Sequence, residues 1–420
     1  MNEYTLITSI GTGMYKKEGG YRETTYSFGE NQTYKSKLFF EAILKTNLKP
    51  VKKIIFIGTY TSSWDILIDD KINPDLWLQV YEEINQKGLH PDSELIPRIQ
   101  EHLRVRYSVE IKILIHTNII DSDTTEEIFN IYRSVVPYIK EDSNILFDIT
   151  HGFRSMPILM YQALQFASNS NTKLQNVELV YGEYIENEKI SYVRDLSSYW
   201  HYARITDAIS VFKAKLDGFA LANLLEKEFN SYSKVINKIS NIVQTNFCLQ
   251  IIEVLKQLKN TLSENYEKTP FWFNDIKSFL TEFYNEIFSS KSDAETIYNF
   301  AKYLRKKNLN TQAIISLQLA VETACAEKSD NPEKNKGNYD FWKEEGKKIR
   351  DSVTEHDKKI KDKLKILENF RNQIAHGGAR NKARNKEIGS FPMAENFPNI
   401  FDSASDGVRK FLDELKKAKP

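Results

Sequence analysis

Four short runs rich in β-branched and aliphatic residues, Thr5–Ile10, Val51–Gly58, Val109–Ile115 and Asn144–Ile149, recur in the first part of the chain, and each stops at small polar residues. Their apolar content is nearly continuous instead of alternating, which is how a strand reads when both faces of its sheet are covered. Helical patterns fall between them at Lys35–Lys45, Asp75–Asn85, Leu95–Arg104 and Thr125–Ile139. Such alternation predicts an α/β fold, a mostly parallel sheet with helices on both faces. Val177–Ile185 and Lys189–Leu196 add a hairpin turning at Glu186-Asn187-Glu188, and Tyr21–Phe28 alternates like a further strand.

After Trp200 the strand signals stop. Tyr202–Phe229, Val235–Thr261 and Asp275–Phe288 read as long amphipathic helices. Ala294–Lys307 and Thr311–Lys328 follow as an αα-hairpin turning at residues 307–310, its second helix striped by Ile314, Leu317, Val321 and Ala324. The run Ser329–Lys363 mixes both charge signs and reads as loop and solvent-facing helix. The expected organisation is an α/β domain over residues 1–198, a helical connector over 199–295 and an all-α domain over 296–420.

Composition excludes some functions. With a net charge of +1, no global field draws nucleic acid, so any such contact must come from a local patch. No run is apolar enough to span a bilayer, and Met1-Asn2-Glu3-Tyr4 lacks the basic start of a signal peptide. Cys248 and Cys325, both in helical segments, read as buried reduced thiols, so a cytoplasmic setting is expected. The middle helices show no metal spacing, no phosphate-loop motif and no basic recognition helix, which favours a connector and dimerisation surface over a DNA reader.

Ligands of open α/β sheets bind beyond the carboxyl ends of the strands. Gly11-Thr12-Gly13, after the first strand, can bring backbone N–H groups against a phosphate or sugar. It lacks the third glycine of a dinucleotide fingerprint and no helix follows directly, which disfavours NAD or FAD. The loop Asp148-Ile149-Thr150-His151-Gly152-Phe153-Arg154-Ser155-Met156-Pro157 joins a buried strand to a helix. His151 and Arg154 there are placed to grip a nucleotide, against the plainer reading of a satisfied turn histidine and a surface arginine.

Near the other end, Leu364, Leu367, Phe370 and Ile374 recur at helical spacing, and Gly377-Gly378 reads as the helix end. Arg371 and His376 therefore sit in its last turns, about 140° apart around the axis. Asn372 lies four residues before His376, stacked so that it can orient the imidazole. A permanently charged guanidinium suits a phosphate and an imidazole suits proton transfer, the pairing that metal-free RNA cleavage requires. Arg380, Lys382, Arg384 and Lys386 follow as a candidate backbone-binding tract, or as plain solvated surface. Glu322, off its helix's core stripe, is a candidate partner for Arg371. A lone histidine before glycine is also a common helix cap.

Three of these strings resemble two known families. Arg-Asn-x-x-Ala-His resembles the signature of HEPN-type ribonucleases, and the all-helical last 120 or so residues are similar in kind. The Gly-Thr-Gly turn and the Asp-Ile-Thr-His-Gly-Phe-Arg-Ser loop resemble the CARF domain, the Rossmann-like sensor associated with CRISPR. A CARF half followed by a HEPN half resembles the ancillary ribonucleases of type III CRISPR systems. The resemblance implies a homodimer whose paired CARF domains bind one cyclic oligoadenylate, with cyclic tetra-adenylate favoured and no metal or other cofactor. Ser9, Gly11, Thr12, Gly13, Thr150, His151, Gly152 and Arg154 are the implied ligand contacts, with Thr59 and Thr61 at the neighbouring strand end.

It further implies single-stranded RNA as substrate, cut by attack of its own 2′-hydroxyl. Arg371 would stabilise the phosphorane charge, His376 would move protons or orient the hydroxyl, and Asn372 would fix geometry. Two motifs across a twofold axis supply two of each group, and activation by the ring would be allosteric. The alternative is a sensor, or a nuclease that degrades its own ring, with a non-catalytic helical half.

Overall fold

The computed structural model describes residues 3–13, 21–29, 32–116, 126, 133–139, 144–152, 155–169, 174, 176–375 and 397–417. The chain divides into two compact units, Met1–Ala203 and Arg204–Pro420.

In the first unit eight described strands form one sheet: β1 (Tyr4–Ile10), β2 (Thr24–Ser27), β3 (Thr33–Ser36), β4 (Val51–Thr59), β5 (Glu110–His116), β6 (Asn144–Asp148), β7 (Asn176–Ile185) and β8 (Ile190–Asp195). Their order is β3-β2-β8-β7-β6-β1-β4-β5. β1 lies between β6 and β4, parallel to both, and every one of its residues is buried. The pleat explains its apolar run. Leu6 and Ile10 join Ile54, Phe56 and Leu146 in a core on one face, while Ile7 joins Ile55, Ile57, Ile145 and Phe147 on the other. The four expected parallel strands are present, as is the hairpin: β7 and β8 pair antiparallel from Val180↔Asp195 to Ile185↔Ile190.

One expected helix begins later than its pattern. Residues 33–36 are strand β3, paired with β2 from Thr24↔Ser36 to Ser27↔Thr33, and helix α1 covers only Phe39–Lys45. Ser36 ends the strand: its hydroxyl accepts from the Leu38 N–H at 3.1 Å and donates to Glu41 at 2.6 Å. Helices α2 (Pro74–Gln86), α3 (Leu95–Tyr107) and α4 (Ser155–Asn169) flank the sheet where expected. Of the expected helix Thr125–Ile139, only the turn Val136–Ile139 and a few neighbours lie within the described residues.

From Ser197 onward two long expected helices are broken. α5 (Ser197–Lys215) stops at Leu216, whose φ of 56° is left-handed, and α6 covers Phe219–Leu225. Leu216 is fully buried, so the apolar periodicity runs straight through the break. Gly218 follows because a Cβ there would stand 2.4 Å from Ile236 Cγ2. Likewise α7 (Asn230–Thr245) ends at Asn246 with φ 62°, before α8 (Ile251–Leu262). Beyond them lie α9 (Phe271–Ile287), α10 (Asp293–Lys306), α11 (Asn310–Glu327), α12 (Lys347–Val353), α13 (Lys358–Ala375) and α14 (Phe397–Lys417). The expected αα-hairpin is α10–α11, with Ser292 capping α10 by accepting from the Glu295 N–H. One continuous hydrophobic cluster runs from Ile205 to Leu415.

Candidate functional site

From β1 the chain moves outward to β4 and β5 on one side, then returns to place β6 and β7 on the other. The switch point therefore lies between β1 and β6, where the crevice of an open α/β sheet forms. The two loops singled out in the sequence leave these strands and touch there. A Cβ on Gly11 would stand 3.0 Å from Gly152 Cα, and a Cβ on Gly152 would stand 2.7 Å from Ser9 Cβ. Gly152 also has φ 103°, a conformation side chains rarely adopt, so both loops need their glycines.

A pocket of about 530 Å³ opens at this point, within the range of small-molecule sites. It is lined by Gly11, Thr12 and Gly13 from one loop and Thr150, His151 and Gly152 from the other. Ser9 and Thr59 are buried, do not line it, and belong to its frame. Thr59 and Thr61 share a hydroxyl contact of 3.2 Å, Thr59 meets Ser62, and Ser62 donates to the Ile10 carbonyl at 2.7 Å, bracing the end of β1. Arg154 lies outside the described residues.

Beneath the pocket Asp148 is completely buried. It accepts from the Thr8 hydroxyl at 2.7 Å and the Thr150 N–H at 2.8 Å, while Thr150 Oγ1 accepts from the Gly182 N–H at 2.8 Å. Burial pushes the Asp148 carboxyl up to about 6 against the pull of these bonds. His151 is held from another side: its Nε2 accepts from the Phe39 N–H, the first amide of α1, at 3.2 Å, and lies 3.3 Å from the Tyr26 hydroxyl. An Nε2 that accepts puts the proton on Nδ1, so the ring is neutral. Burial agrees, pushing the imidazole down to about 4.

The remaining wall was not singled out from sequence. Tyr21, Arg22, Thr24 and Tyr26 from the β2 side, Tyr181, Gly182, Tyr184 and Glu186 from the β7 side, and Ser191 of β8 complete it. Arg22 donates to Glu186 at 2.8 Å and stacks 4.9 Å above the Tyr184 ring. Their strands are visible in the sequence, but only the pairing β2-β8-β7-β6 brings them to the β1 loop. One signal pointed here: Gly182 interrupts an apolar strand, and a Cβ there would stand 2.9 Å from Tyr26 Cε1.

In the helical unit, Arg371 and Asn372 lie near the end of α13, half-buried, with Arg371 Nη1 donating to Asn372 Oδ1 at 3.0 Å. Glu322 of α11 feels the Arg371 charge and accepts from Gln318 at 2.9 Å; burial nonetheless leaves its carboxyl above the usual range. One turn back, Glu368 meets Arg350 at 3.0 Å and Lys347 at 3.1 Å. Burial acts to raise Glu368, but the two cations hold it below the ordinary carboxylate value. His376, with Arg380, Lys382, Arg384 and Lys386, lies outside the described residues. Among the described residues no group of three or more His, Cys, Asp or Glu side chains is arranged to hold a metal, and no helix is long and apolar enough to cross a membrane.

Fold and site together define a Rossmann-like α/β unit with a ligand crevice at its switch point, joined in one chain to an all-helical unit. Residues 5–188 match the family model of the CARF domain of the CRISPR system endoribonuclease Csx1, and residues 203–292 match that of the second domain of the CRISPR-associated protein MJ1674. Each unit thus carries a segment similar to a CRISPR-associated family, and the one in the first unit is a CARF domain match. The CRISPR-associated protein MJ1674 of Methanocaldococcus jannaschii is 24% identical over 323 residues, 71% of this chain; the match spans about half, 50%, of that relative's length. A solved structure, Enterococcus italicus Csm6 bound to cyclic hexa-2′-fluoro-hexa-dAMP, aligns over 99% of this chain and 95% of its own, with 12% identity and a TM-score of 0.40.

Proposed function

We propose that the protein is a cyclic-oligoadenylate-activated, metal-independent endoribonuclease of type III CRISPR defence. The observation that carries the sensing half is the switch-point pocket, where two glycine-dependent loops meet inside the matched CARF segment. Cyclic tetra-adenylate is the favoured ring. A ring of even symmetry suits a homodimer in which each protomer holds an equivalent half.

The nuclease half rests on Arg371, Asn372 and His376. Arg371 is tethered to Asn372 at 3.0 Å, so the guanidinium is pre-positioned and the amide oxygen is occupied. In the proposed reaction the RNA 2′-hydroxyl loses its proton as its oxygen attacks the adjacent phosphorus, and the 5′-oxygen leaves with a proton, giving a 2′,3′-cyclic phosphate. His376 from each of two protomers supplies the base and acid, and Arg371 offsets the phosphorane charge. Ring binding shifts the dimer toward the state in which this groove is competent.

The test is cleavage of a quenched fluorescent single-stranded RNA, in EDTA, with each cyclic oligoadenylate, comparing wild type with His376→Ala. Ring-dependent cleavage that His376→Ala abolishes supports the reading. Loss in EDTA removes metal independence, and equal turnover by His376→Ala reduces the helical half to a non-catalytic partner. Consumption of the ring by the variant would make the protein a ring nuclease.

A further inference from the structure

The turn after β1 is expected to offer backbone N–H groups to a phosphate, yet the Gly11 N–H is already engaged: it donates to the Tyr21 hydroxyl at 2.6 Å. The phenol oxygen accepts in that bond, so its own proton remains to be given, and the described residues form no bond from it. The ring stands edge-on to His151 at 4.8 Å and 90°, and the residue lines the pocket beside Gly11 and Gly152.

We propose that Tyr21 is a ligand-binding residue, which takes the Gly11 hydrogen bond and passes its own O–H to an anionic oxygen of the ligand. Resting on the reading above, that oxygen belongs to a phosphate of the cyclic oligoadenylate. Burial, with Asp148 and Asp65 nearby, pushes the phenol above its ordinary value, so it stays protonated and is a donor at any physiological pH. A hydroxyl that accepts from an amide is polarised into a stronger donor. His151, itself 3.3 Å from the Tyr26 hydroxyl, stands edge-on against the ring, and a neutral donor suits a pocket with the buried Asp148 carboxyl beneath it.

The experiment is calorimetric titration of wild type and Tyr21→Phe with cyclic tetra-adenylate and with cyclic hexa-adenylate, and separately with inorganic pyrophosphate as a probe of the anion seat alone. Tyr21→Phe keeps the ring and its packing, and a thermal melt matching wild type confirms the fold. The expected result is binding weakened about ten- to a hundredfold, the loss of one hydrogen bond to a charged group. Unchanged binding overturns the proposal. So does tighter binding, which would make the hydroxyl an occupant that the ligand displaces from Gly11. If wild type binds pyrophosphate but neither ring, and Tyr21→Phe weakens pyrophosphate, the Tyr21 assignment stands and the ring reading falls. If wild type binds neither ring nor pyrophosphate, both fall.

Discussion

The switch-point pocket and the end of α13 hold their polar groups in opposite ways. At the inner end of the pocket, burial biases three groups toward their neutral forms, Asp148 upward, His151 downward and Tyr21 upward, while Arg22 and Glu186 on its wall neutralise each other as an ion pair. One turn from Arg371 the pairing is ionic, with Arg350 and Lys347 holding Glu368 charged, while burial pushes the neighbouring Glu322 toward its neutral form. The first region keeps its own charge low, which suits a polyanionic ligand and makes it responsive to protons. The second keeps its charges and balances them, which makes it responsive to salt.

The largest expected effect breaks the pairing of the two regions. His376→Ala should lower ring-stimulated RNA turnover by at least about a hundredfold. Ring affinity measured by calorimetry should stay unchanged, since the substitution lies in the helical half. Next is Gly152→Ala. The added Cβ meets Ser9 Cβ at 2.7 Å in a backbone with φ 103°, so a strain of about 1–3 kcal/mol should appear as a lowered Tm, with loss of ring binding.

The pocket's proton response should split in two. His151 is folded neutral, so its contribution to stability is full above its ordinary value of 6.5 and is lost as pH falls toward about 4. Asp148 runs the other way: its contribution is full below its ordinary 3.8 and is lost as pH rises through about 6. Urea midpoints across that range should therefore show His151→Gln gaining on wild type as pH falls and Asp148→Asn gaining as pH rises. Each effect is at most about 3 kcal/mol. Parallel slopes for the two variants would contradict the contrast. The smallest effect is expected at Glu368→Gln, under about 1 kcal/mol for a partly exposed pair and fading with added salt.

Much of this architecture is legible in the residue pattern alone. The continuous apolar runs mark β1, β4, β5 and β6, because a strand covered on both faces cannot alternate. The glycines at 11 and 152 mark the loops that meet, since only close approach or left-handed backbone demands them. What escapes is long-range or hidden by good packing. Leu216 carries the core stripe through a left-handed break, so periodicity alone fuses two helices. Lys35 and Ser36 sit in a helix-like pattern, yet pairing with β2 holds them as strand. Tyr21 and Tyr184 reach the pocket only through sheet order, which no local spacing records.

The bond from the Phe39 amide to His151 spans 112 residues of sequence and ties the start of α1 to the β6 loop. That single amide is thereby a native reporter. Its deuterium uptake, followed by NMR or mass spectrometry, is slow while the imidazole holds it and accelerates once the loop lets go. Movement of the β6 loop can thus be read without a dye, a label or an RNA substrate.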